Sequence, residues 1–179
     1  MMNSAIYSPT EKIDTTRLHE LVRTPIVGEL LIEVIFGPFD GMDGVQGDPE
    51  SMPPEVEQLY GRPVNESGNK KAPLALMRMV PHAPEHPSTA PMGELVTFVR
   101  SLDVPTEIVW GMNDPIGGDV LPAMQAHFPN ARTTETEAGH FLQEEVPDVI
   151  AAAVMRVYEE VHTLDLASVS EADPTQPLE

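Results

Sequence analysis

From Thr106 onward the chain alternates a short β-branched run, an amphipathic stretch, a second short run and a last apolar stretch, and few folds accept that order. Thr106-Glu107-Ile108-Val109-Trp110-Gly111 is compact, β-branched and closed by glycine, as a strand inside an α/β sheet should be. Asp119 stands where it would cap a helix through about Phe128, with Pro122 tolerated in the first turn. Ala131 to Thr136 follows as a second, more polar strand, and Pro147 opens a final helix through about Val161. Strand, helix, strand, helix implies a right-handed parallel unit, so the predicted class is α/β.

Upstream of Val104 the chain reads as helices joined by long loops. Residues 1–16 show no sustained period and contain Pro9, which predicts a poorly ordered lead-in. Leu18, Leu21 and Val22 recur at helical spacing. Thr24-Pro25 then places a capping residue before a proline suited to a first helical position. The apolar residues Ile26, Val27, Leu30, Leu31, Val34 and Ile35 predict a helix from about Pro25 to Phe36, with a stripe wide enough for burial on more than one side. Gly37 to Pro54 is a loop by composition. Pro54 to Tyr60 reads as a short helix ended by Gly61, Arg62 to Lys71 as a loop, and Ala72 to Val80 as another helix. Pro81 to Pro91 is a proline-rich linker, and Gly93 to Leu102 a helix. Beyond His162 the tail LDLASVSEADPTQPLE is acidic and predicts disorder. The organisation is a lead-in at 1–16, a helical region at 17–91, an α/β region at 92–162 and a tail at 163–179.

At 179 residues, 41% of them hydrophobic, the chain suits one domain with a packed core. No apolar run is long enough for a membrane span and the N-terminus lacks the order of a signal peptide, so a soluble, cytoplasmic protein is expected. Ten Lys plus Arg against 29 Asp plus Glu give a charge of −19, which repels phosphate backbones and anionic membranes. Nucleic-acid and membrane partners are therefore disfavoured. An acidic surface of this size mostly serves solubility; adaptation to high salt is the second reading. The absence of cysteine removes disulfides, thiolate metal sites and a cysteine nucleophile.

In open parallel sheets, ligands bind at the carboxyl ends of the strands. Asp114 and His140 both fall there, 26 positions apart, which leaves room for one helix and one strand between them. A carboxylate reaching the histidine Nδ1–H would fix its tautomer and stabilise the imidazolium, leaving Nε2 as a general base. The alternative is that Asp114 is a turn residue before proline and His140 a loop residue after glycine.

WGMNDPIGGDVLP and AGHFLQEEVPDVIAAAV resemble the acid loop and the histidine loop of the α/β-hydrolase fold, in its haloalkane dehalogenase and epoxide hydrolase branch. The Gly-His-Phe-x-Gln-Glu string resembles the dehalogenases most. RTPIVGELLIEV, PPEVEQLYGRP and APLALMRMVP resemble the helical cap of these enzymes and the return from it. The resemblance runs from about Leu18 to Val161. It implies a helical cap followed by the C-terminal portion of the hydrolase sheet, two parallel strands with flanking helices. It also implies Asp114 as the acid and His140 as the base of a hydrolase that uses no cofactor or metal and takes a small apolar substrate, a halogenated alkane, epoxide or ester.

In that family the nucleophile, serine in G-x-S-x-G or aspartate in its place, sits on a strand-to-helix turn that precedes the cap. Gly41-Met42-Asp43-Gly44-Val45 is nearest in pattern but lacks the apolar strand that should feed the turn. Ser51 and Ser67 lack the flanking glycines, and all three read as loop residues. The chain is therefore expected to lack the nucleophile and the earlier strands, leaving an unpaired edge on the inner strand and a helix at 93–102 deprived of sheet to cover. A complementing N-terminal chain, self-association, or a non-catalytic binding module would each be compatible with that. His82 and His86 have the spacing of a helical metal pair, but Pro84 and Pro87 break the helix between and beyond them. Asp40 to Glu50 and Glu135 to Glu145 do not match a calcium loop. Trp110 could donate to a halide but reads better as a strand-end core residue. Tyr60 resembles the acid tyrosines of epoxide hydrolases in its place, though a lone tyrosine on a short helix more often packs by its ring.

Overall fold

The computed structural model describes residues 1–6, 17–35 and 39–171. It is a mixed α/β structure centred on two parallel strands, β1 (Glu107–Gly111) and β2 (Arg132–Thr136), with Ile108 opposite Thr133 and Gly111 opposite Thr136. Every residue of β1 is buried, and its alternation divides the core in two. Ile108 and Trp110 pack on Leu121 and Met124, whereas Val109 packs with Ala138, Leu142 and Ala153 on the other face.

A helical region precedes the sheet in the chain. It comprises α1 (Arg17–Arg23), α2 (Val27–Glu29) running into a π turn at Leu30–Ile35, α3 (Pro54–Ser67) and α4 (Lys71–Arg78). Val22, Ile32 and Leu74 form its small core. Arg78 ties it together, donating through Nε to the Val22 carbonyl at 2.8 Å and through Nη1 to Glu29 at 2.7 Å. The α/β part follows with α5 (Thr89–Arg100), α6 (Leu121–His127), the short α7 (Leu142–Glu145) and α8 (Pro147–Glu171). At the lower end of the sheet Glu107 makes a two-point contact with Arg156 of α8, at 2.7 and 2.9 Å, and a third with Arg132 at 3.1 Å. The Arg156 bonds hold its carboxyl below the usual range despite the opposing effect of burial.

Several expectations change. The helix predicted over 25–36 is observed from Val27 to Ile35, in its later part as a π-helix, and starts only after Ile26, whose φ of 70° puts a β-branched residue at positive φ. Burial on more than one side does not occur there, since Ile26 and Val34 are 80% and 73% exposed while Ile32 is buried; residue 36 lies outside the described residues. Gly61 does not end α3, which continues through Pro63 and stops at Gly68 in the left-handed conformation. The proline-rich linker gives way to α5 at Thr89, and no side chain caps α6, because Asp119 sits in a preceding 3-10 turn at Gly118–Val120. The final helix does not stop at Val161 but reaches Glu171; residues 172–179 of the predicted tail lie outside the described residues.

The lead-in holds the largest difference. Residues 7–16 lie outside the described residues, but Met1–Asn3 run along β1. Met2 forms a parallel bridge to Val109, whose N–H donates to the Met1 carbonyl at 2.9 Å, and the terminal ammonium donates to the Glu107 carbonyl at 2.6 Å. The edge expected to be unpaired is thus paired over this stretch. The expectation for the helix at 93–102 fares differently: Val96 and Val99 of α5 are buried, but Phe98 stays 59% exposed. Among the described residues no helix is long and apolar enough to cross a membrane.

Candidate active site

The parallel β1–α6–β2 unit leaves both strands pointing at one rim, and the loops beyond them carry Asp114 and His140. The acid loop turns on itself through the Gly118 N–H, which donates to the Asp114 carbonyl at 2.9 Å. It is strapped to the histidine loop by the Met112 N–H to the Thr136 carbonyl at 2.9 Å, the Asn113 N–H to the Ala138 carbonyl at 3.1 Å, and the Asn113 side chain to the Glu137 carbonyl at 2.6 Å. Gly111 has no room for a side chain, because a Cβ there would press into the Ala138 and Gly139 carbonyls. The sequence-predicted pair is brought together: His140 Nδ1 lies 2.9 Å from Asp114 Oδ2.

The Asp114 side chain is fully enclosed, while the His140 ring is 29% exposed. Oδ1 of Asp114 accepts the Ile116 N–H at 2.7 Å, and Oδ2 accepts the Asn3 carboxamide at 2.9 Å besides the histidine. Burial pushes the carboxyl pKa up. The His140 bond and the backbone donors of Ile116 and Gly117 outweigh it, so the group sits below its ordinary value of 3.8. A carboxylate so held takes the Nδ1–H of the imidazole, which leaves Nε2 for chemistry. Because the folded value is lowered, the stability Asp114 contributes is complete above pH 3.8 and is lost between there and its lower folded value. Acid unfolding followed by Trp110 emission is expected to show that loss, and Asp114→Asn should remove this part of the pH dependence.

His140 borders a largely apolar cavity of about 980 Å³, walled by α4, by α5 with the turn before it, and by the acid loop. Leu76, Met79, Met92, Leu95 and Ile116 supply apolar surface, and His19 of α1 reaches the same space. Among the described residues nothing hydrogen-bonds to His140 Nε2. Asp43, Ser51 and Ser67 are held elsewhere. Asp43 lies in a 3-10 turn at Met42–Val45, Ser51 donates to the Asp48 carbonyl at 2.6 Å, and Ser67 donates to the Val64 carbonyl at 3.0 Å. Ser4 and Ser88 border the cavity, yet neither bonds to His140.

The other singled-out residues find different uses. Trp110 is a core residue, fully buried, and its indole Nε1 has no partner among the described residues. Tyr60 packs its ring on Phe141 at 5.4 Å, donates to Glu144 at 2.6 Å and accepts from Gln143 at 2.7 Å; it is not part of the cavity wall. His86 is used locally, Nε2 on the Arg78 carbonyl and Nδ1 accepting the Ser88 N–H, and touches His82 ring to ring at 4.9 Å. Among the described residues no group of His, Cys, Asp and Glu could hold a metal ion.

Two features escaped the sequence reading. One is Asn3. The other is a strap at residues 45–48 lying across the histidine loop. The His140 N–H donates to the Val45 carbonyl at 2.8 Å, and the Gln46 side chain mimics a strand by accepting the Phe141 N–H at 2.9 Å and donating back to its carbonyl at 3.2 Å. The Glu145 carboxylate gathers the N–H groups of Gly47, Asp48 and Gly139 at 3.0, 2.8 and 2.7 Å. A Q-G-D run three residues after an acidic turn carries no periodic signal, so composition alone reads it as loop. No protein-family model matches the chain, and no curated protein is significantly similar to it.

Proposed function

We propose that the chain supplies the cap and the acid–base part of an α/β-hydrolase of the haloalkane dehalogenase kind, with the nucleophile not among this chain's residues. The observation that carries this reading is the 2.9 Å contact of His140 Nδ1 with an enclosed carboxylate, beside an apolar cavity. In the complete enzyme a carboxylate oxygen would bond to the carbon bearing the halogen as the carbon–halogen bond breaks and halide leaves with the electron pair. His140 Nε2 would then take a proton from water as the water oxygen adds to the ester carbonyl, and return it to the departing alcohol. The imidazolium formed between these steps is stabilised by Asp114, and apolar walls limit competing water. The reading needs no organic cofactor or metal. An epoxide hydrolase or serine esterase of the same fold is the alternative within hydrolases, decided by the nucleophile.

One observation favours a second reading, a non-catalytic binding module: no nucleophile bonds to His140 among the described residues. The chain has one tryptophan, and Trp110 borders the cavity, so bromoalkane entry is expected to quench its emission saturably and to move the His140 resonances. Halide-release and ester assays of the chain alone should show no turnover. Turnover abolished by His140→Ala would place the nucleophile within the chain and sink the module. No binding of bromoalkane, epoxide or ester, with His140 unmoved, would sink the hydrolase reading.

A further inference from the structure

Asn3 makes four hydrogen bonds with a single carboxamide. Its Oδ1 accepts the Gly111 N–H at 2.8 Å. Its Nδ2 shares two hydrogens among three oxygens, Asp114 Oδ2 at 2.9 Å, the Gly139 carbonyl at 3.1 Å and the Gly111 carbonyl at 3.3 Å. These partners belong to three separate pieces of the site: the end of β1, the acid itself, and the residue before His140. Backbone pairing of Met1 and Met2 along β1 fixes where the side chain stands. The segment is held again at Ile6, whose carbonyl meets His127 Nε2 at 3.0 Å. Donors from His140 and Asn3 converge on the same oxygen, Oδ2, while the Ile116 N–H takes Oδ1. Donors thus reach both oxygens from different sides, with the Gly117 N–H acting on the carboxylate as well, which restrains its rotation.

We infer that Asn3 is a positioning residue of the acid–base pair: its carboxamide sets the rotation of the Asp114 carboxylate and locks it to the histidine loop. The inference rests on the reading of Asp114 and His140 as such a pair. An amide meets the geometry, because the site asks for an acceptor toward the Gly111 N–H and for N–H donors toward a cluster of oxygens that includes Asp114 Oδ2. An aspartate at position 3 would set a second carboxylate against Asp114. Added negative charge against Asp114 favours a cation beside it, and the imidazole bonded to Asp114 is the group that can become one. The other titratable groups around His140 are otherwise engaged: Glu144 with Tyr60 and Glu145 with backbone N–H groups. His19 also borders the cavity.

The test is an NMR titration of His140 in the full chain and in three variants, Asn3→Asp, Asn3→Ala and Asp114→Asn. Asn3→Asp is expected to raise the proton affinity of His140 about tenfold. Asn3→Ala should lower the share of the Nδ1–H tautomer. His127 and the thermal midpoint serve as controls for the fold. If Asp114→Asn shifts the His140 titration while both Asn3 variants leave it unmoved, the role of Asn3 is overturned and the pair survives. If Asp114→Asn leaves His140 unmoved as well, the pair reading itself fails. A measurement on the unaltered chain guards against variants that do not fold. The Asn3 carboxamide protons should be protected from exchange and shift as His140 titrates; exchange at the solvent rate with no response to pH overturns the inference.

Discussion

Replacing Trp110 by alanine is expected to cost about 4 kcal/mol, from the range for deleting a large aromatic from a core, and to abolish cooperative unfolding in urea. The indole is fully buried between β1 and α6 against Ile108, Leu121 and Met124, and a core divided by a two-strand sheet has little else to close the gap. Net stabilities of roughly 5–15 kcal/mol leave small room for such a loss. Trp110→Phe should behave quite differently. Nε1 has no partner among the described residues, so the variant removes a buried unsatisfied donor, worth about 1–3 kcal/mol, along with part of the ring. The two contributions oppose each other, and the midpoint should move by less than a third of the alanine effect. Equal losses for the two variants would show that the indole N–H is bonded after all.

Gly139→Ala is expected to cost about 3 kcal/mol, the upper end for overpacking, and to detach His140 from Asp114. A Cβ at this position would lie 2.5 Å from Gln46 Cα and from the Gly47 nitrogen, and closer still to the Val45 carbonyl oxygen. All three are backbone atoms of the strap, so no flexible side chain can yield. Either the strap lifts, releasing the Gln46 and Glu145 bonds, or the histidine loop drops away from the acid. The His140 Nδ1 proton resonance should broaden or vanish, and the thermal midpoint should fall. A normal midpoint with an intact Nδ1 proton would mean that the strap is not held against this loop in solution.

Much of the candidate site's rim was legible because it follows from regularities of chain folding. Ile108, Val109 and Trp110 form an apolar run bounded by a glycine, the stretch after Asp119 has helical period, and parallel strands deliver their following loops to one side. Those rules place Asp114 and His140 on one rim if the strands pair, and leave open whether they touch. Asn3 was not legible, because a single amide in a short stretch has no period, and its partners are main-chain groups and one carboxylate more than 100 positions away. Gln46 and Glu145 escaped for the same reason: side chains that bind backbone N–H groups leave no trace in hydropathy. Gly61 and Pro63 misled in the opposite direction. Both are helix breakers by propensity, yet Gly61 packs against Phe39 and α3 carries on through them. Contact with a neighbour outweighed local preference.

The direction in which Met2 pairs with Val109 also decides where the molecule can be handled. The segment is parallel to β1, so Asn3 arrives at the rim of the pair while the Met1 amine stays at the opposite end beside Glu107. A dye, tag or surface linkage made at that amine would stand about 10 Å from the pair, two residues along the segment from Asn3. The amide N–H of an added residue could replace the ammonium on the Glu107 carbonyl. Attachment there would lengthen the ladder and leave the cavity open.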